Sequence, residues 1–139
     1  MKDSEFEATK ERIRIIRDFW AEKLGLLWWT VHYNYRDDSA YFQEPNGVQA
    51  AARCRPEWRY LEASIDLNMP QLFGMDDDEL EKIIVHEMMH ILLHEMRNFD
   101  EEAGLKHEER VATTFTKAFL WVRDFLTPAP PPEGLTELH

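Results

Sequence analysis

Residues 83–95 read IIVHEMMHILLHE and place three histidines and two glutamates inside the most apolar run of the chain. Burying polar groups without partners costs roughly 2–7 kcal/mol each, so the segment needs something to compensate them. A metal ion does this directly. His86, Glu87 and His90 form an HExxH motif. Four residues advance an α-helix by about 6 Å and a little over one turn, so both imidazoles leave one face and can reach a single Zn2+ at ~2.0–2.1 Å. Glu87 lies beside that face, where it acts on a metal-bound water rather than on the metal. Zinc brings the pKa of such a water to about 7. The carboxylate then takes its proton as the water attacks a carbonyl, and later passes it to the leaving amine.

A catalytic zinc takes three protein ligands and keeps a fourth position open. His94, on an unbroken helix, lies about 12 Å along the axis from His86 and is too distant to share the ion. The metzincin arrangement needs Gly three residues after the second His and a third His three further on. Leu93 and Met96 stand there, which excludes it. The remaining candidates are His107, Glu108 and Glu109 on the last helix. Glu108 is nearer the centre of that helix's apolar stripe, and Glu109 is rotated by about 100° toward its edge. Helical geometry leaves the choice among them open.

HExxH followed, after a loop, by a glutamate on a helix resembles the gluzincin branch of zinc metallopeptidases. The chain is similar to small phage and prophage HExxH proteins, and more distantly to the ImmA/IrrE type, over about residues 26–122. YLEASIDLN, ELEKIIVHEMMHILL and EERVATTF are the most specific segments. The resemblance implies a zincin-like domain that hydrolyses peptide bonds with one Zn2+ per chain. Many gluzincins carry Glu-x-x-Ala-Asp/Asn in the helix of the third ligand. The matching residues run from Glu109 to Ala112 and Thr113, so the resemblance favours Glu109 as ligand beside His86 and His90. It departs at Thr113, where an acidic or amide residue usually orients a ligand histidine. The SprT-like proteases offer a rival pattern with His86, His90 and His107 as ligands. There the third His usually precedes Gly and an aromatic residue, whereas Glu108 follows here. A third reading keeps the zinc but drops catalysis, with LLWWTVHY as a binding surface.

The elements that must position these residues are legible in outline. Ser4 and Glu7 fit a capping box ahead of Phe6, Ile13, Ile16, Phe19 or Trp20, and Leu24, giving a first amphipathic helix that ends at Gly25. Strands are expected over 26–35, 47–55 and 59–68, with a turn at Pro56. Asp76, Asp77 and Asp78 open the metal helix, which is expected to run to about Arg97. A loop over 98–106 then leads to a last helix, where Val111, Phe115, Ala118, Phe119, Val122 and Phe125 read as core packing. The expected fold is α+β: an N-terminal helix, a small three-stranded, largely antiparallel sheet, the HExxH helix and a C-terminal helix. It forms one domain over 1–126, followed by a Pro-rich, extended tail over 127–139.

Composition limits the partners. A formal net charge of −11 opposes attraction to nucleic-acid phosphates. No stretch reaches the ~18 apolar residues of a membrane span, and MKDSEFEATK lacks the apolar core of a signal peptide. The lone Cys54 cannot form an intramolecular disulfide, which fits the reducing cytoplasm, and it reads as a small buried residue with no chemical role. The expected partner is a peptide or protein substrate. No specificity pocket is legible, and His32, Tyr33, Tyr41, Tyr60 and His94 are all candidates to stabilise the oxyanion. Nothing in the sequence sets the oligomeric state.

Overall fold

The alternation of Ala63, Ile65 and Leu67 with Ser64 and Asp66 becomes the central strand, β3 (Glu62–Asn68). A computed structural model describes residues 1–94 and 101–126, with only the backbone described for 101–107; the expected tail lies outside the described residues. The elements run α1 (Asp3–Lys23), β1 (Thr30–Arg36), β2 (Ala52–Glu57), β3, a short α2 (Met69–Leu72), α3 (Asp77–Leu93) and α4 (Glu101–Leu126). The architecture is α+β, as the pattern predicts.

The sheet is mixed rather than largely antiparallel, in the order β1-β3-β2. β1 runs parallel to β3, with Tyr33 opposite Ile65, while β2 runs antiparallel to it, with Cys54 opposite Ile65. Single-strand periodicity reports which face is buried but not which neighbour is paired. After β1 the chain travels through 37–51 to the far edge, and the β2–β3 return then inserts β3 between the two. Leu61 makes that return with φ 51°, in the left-handed region.

Element boundaries also shift. Leu26 is buried in a turn whose carbonyl accepts from Trp29 N at 3.0 Å, so β1 starts at Thr30. Pro56 lies within β2 rather than in a turn. Asn68 N donates to Ala51 O, so hydrogen-bonded pairs fall at Ala51, Arg53, Arg55 and Glu57. Pro56 therefore needs no amide proton toward β3, as suits an edge strand. The Ser4–Glu7 capping box does not form: α1 starts at Asp3, and Lys2 caps it without a side-chain bond.

Helices cover one face of the sheet. Ile13 and Trp20 from α1, Ile65 and Leu67 from β3, and Leu80, Ile84, Met88 and Ile91 from α3 form the core with Ala112 of α4. Burying each large aliphatic side chain stabilises the fold by roughly 1.5–3 kcal/mol. The opposite face is polar. There the buried Asp66 accepts hydrogen bonds from Asn34 (2.8 Å), Tyr41 (3.0 Å) and Arg55. Glu81 of α3 binds Trp20 Nε1 at 2.8 Å and also pairs with Arg123, tying α1 and α4 to the middle helix.

Two expectations about the last helix need correction. Residues 101–106 are helical, so α4 begins before the expected loop ends. The predicted core stripe also faces outward: Phe115, Phe119, Val122 and Phe125 are exposed, while Glu108, Ala112 and Thr116 are buried. Small residues let α4 approach α3 closely. Thr116 satisfies its hydroxyl within the helix by donating to Ala112 O at 2.7 Å.

Candidate functional site

Asp76 accepts from Glu79 N at 2.8 Å and starts α3, and acidic residues in the first turn suit the helix dipole. From there the four-residue spacing acts as expected. His86 and His90 present their rings together, with centroids 4.9 Å apart, and their Nε2 atoms are 3.3 Å apart. α4 lies across this face and brings Glu109 to within 3.3 Å of His86 Nε2 and 2.8 Å of His90 Nε2. One donor atom from each of the three residues lies within 4.8 Å of the others.

These residues fit a zinc ion. Tetrahedral coordination with ~2.0–2.1 Å bonds separates neighbouring donors by about 3.3 Å, which matches the spacing of the two imidazole nitrogens. Two histidines and a carboxylate are a known donor set for catalytic zinc. Among the described residues, three protein donors converge, short of the four of a closed structural site.

Glu108 takes a different part. It is 0% exposed, and its Oε1 lies 2.6 Å from His90 Nδ1. With Nδ1 facing the Glu108 carboxyl, Nε2 is directed at the cluster. Burial works against charging His90, but its hydrogen bonds to Glu108 and Glu109 outweigh this and raise its pKa to about 9. The same imidazole contacts, with His86 first and His90 second, hold Glu109 well below the usual carboxylate range against the opposing effect of burial. Metal binding must therefore displace a proton from His90 Nε2.

Glu87 is 8% exposed on the same helix. Burial pushes its carboxyl pKa up, against the pull of His90 and His86, and Glu109 adds to the rise. Two adjoining cavities of about 530 and 520 Å3 share Ala52, His86 and Glu87 in their walls. Thr113 lines the first, while Arg53, Cys54, Arg55, His90 and Glu109 line the second. The edge strand β2 thus forms one side of a cleft and α3 the other. Hydrogen-bonded pairs at Arg53 and Arg55 leave the amide of Ala52 directed away from β3.

The chain matches no protein-family model, no curated protein and no solved structure. Its functional reading therefore rests on this geometry.

The structure brings together His86, Glu87, His90 and Glu109, the four residues singled out from sequence. Glu108 is placed behind His90 rather than among the converging donors, and the side chain of His107 lies outside the described residues. None of the five oxyanion candidates lines the cleft. Tyr33 is packed under Arg17, and Tyr41 is tied to Asp66 on the far face of the sheet. Sequence reasoning missed two features. Glu108 sits against His90 Nδ1, where an orienting partner was sought at Thr113, and an acidic residue next to Glu109 was the available signal. Arg53 and Arg55 line the cleft while pairing with Glu44 and Asp66, and strand alternation alone could not show that β2 was its wall.

Proposed function

We propose that the chain is a zinc-dependent metallopeptidase of the gluzincin type, with His86, His90 and Glu109 holding the ion and Glu87 as general base. The convergence of those three side chains at 2.8–3.3 Å beside a buried glutamate on an open cleft carries this reading. When bound, zinc supplies Lewis-acid polarisation of a carbonyl and a nucleophile at neutral pH. Glu108 holds His90 in one tautomer through Nδ1. The raised proton affinity of the Glu87 carboxyl suits it to take a proton from the attacking water and return it to the departing amine. An extended peptide would lie in the cleft along β2 by strand addition. With its single cysteine, the chain is suited to the cytoplasm.

Glu87→Gln keeps the shape of the side chain and removes the base. The expected result is zinc content equal to wild type with hydrolysis of a peptide library reduced by ~100-fold or more, the lower range for general-base loss. Undiminished hydrolysis with zinc in place would remove Glu87 from the mechanism. A zinc-stabilised binding domain would instead show a closed sphere of four protein ligands, and the cleft beside three converging donors favours the catalytic reading.

A further inference from the structure

The exposed stripe of α4 is large for a free surface. Phe115, Phe119, Val122, Phe125 and Leu126 leave the helix on one side, and Trp121 flanks them, stacked on Phe125 with centroids 5.5 Å apart. Their spacing places these residues and Ala118 on an arc that contains no charged residue. Lys117 and Asp124 fall on the opposite side of the helix. The stripe is turned away from the cleft, because Glu109 and Thr113 occupy the cleft-facing side of α4. Next to it, Glu81 draws Arg123 and Trp20 together, and Phe19 packs edge-on against Trp20 while remaining 43% exposed.

We infer that this face is a homodimer interface, with α4 of one copy packed antiparallel against α4 of a second. The first argument is area. Aromatic side chains carry ~150–250 Å2 each, so the exposed fractions of these residues, 41–72%, amount to on the order of 600 Å2 of apolar surface. A stable dimer buries about 800 Å2 per partner, and Phe19, packed on Trp20 beside the Glu81–Arg123 pair, adds to the patch. The second argument is symmetry. A single straight stripe is complementary to itself about a two-fold axis across the helix, so the contact closes at two copies. The third is charge. Two chains of net charge −11 repel each other, and a charge-free arc is a face on which they can meet without placing like charges together. Association driven by apolar burial against that repulsion strengthens as salt is raised.

Sedimentation equilibrium of the full chain, at several protein concentrations and at low and high salt, tests this. Wild type should show twice the 16.6 kDa chain mass, with a dissociation constant that falls as salt rises. Phe119→Glu with Val122→Glu should weaken the dimer by about tenfold or more while leaving the far-ultraviolet circular dichroism unchanged. Leu27→Glu with Trp28→Glu, which adds the same two charges at residues 71% and 87% exposed on the α1–β1 connection, should leave the dimer intact. A wild type that stays monomeric at its highest soluble concentration overturns the inference, whether the face is covered by the chain's own tail or by another protein. A dimer that survives the paired substitution also overturns it.

Discussion

Two adjacent glutamates on α4 do different work because they leave the helix about 100° apart. Glu109 reaches the Nε2 atoms of both histidines, and Glu108, fully buried, reaches the Nδ1 of His90. Helical periodicity brought both to the site without dividing the roles, and only the gluzincin resemblance favoured Glu109 as the ligand. That division depends on which face of α4 is pressed against α3, and the apolar stripe pointed to the wrong one. The arrangement has a pH signature. His90 binds its proton more tightly in the folded, metal-free protein than in the unfolded chain, with a pKa raised to about 9. Its contribution to the stability of the metal-free protein is therefore full below the unfolded value of about 6.5 and is lost as the pH rises through 9. Zinc must displace the same proton, so zinc affinity should climb from neutral pH to about 9 and then level off. Glu108→Gln should end that climb at lower pH and weaken zinc binding by ~10–100-fold, the usual effect of losing an orienting partner. Competition titrations with a chelator across pH would measure both. An unchanged pH profile in the variant would remove Glu108 from its orienting role.

At the scale of elements, α3 was the most legible part of the chain. Its N-cap, its buried circumference and its motif were all local signals, and Asp76 makes the expected cap. Replacing Asp76 with Ala should cost about 1 kcal/mol of stability, visible as a shift of a few degrees in thermal unfolding, with zinc stoichiometry unchanged because the cap lies more than two turns from His86. No shift in the midpoint would mean that the cap hydrogen bond contributes nothing net. The sheet was only half legible. Strand alternation marked Leu61, Ala63, Ile65 and Leu67 as the buried face; the last three are buried, whereas Leu61 falls in the β2–β3 return and is exposed, and Asp66 and Asn68 of the other face are buried as well. The parallel pairing of β1 with β3 was hidden because it depends on a long connection that leaves no periodic trace. α4 was misread for a clear physical reason. Patterning assumes that the widest apolar arc is the buried one, whereas here Ala112 and Thr116 make a narrow seat that lets the backbone come close enough for Glu109 to reach the histidines.

For the molecule as a whole, the sheet edge, the α3 face and the α4 seat converge on one cleft, and the remaining broad apolar surface of α4 is turned away from it. No helix among the described residues is long and apolar enough to cross a membrane. The proposed chemistry requires that His86, His90 and Glu109 form one metal site. Elemental analysis of purified wild type beside Glu109→Ala tests this most directly. About one zinc per chain is expected in wild type and a marked loss in the variant, with the fold retained. Zinc kept in full by Glu109→Ala, or a wild type that cannot be loaded with zinc, would contradict it.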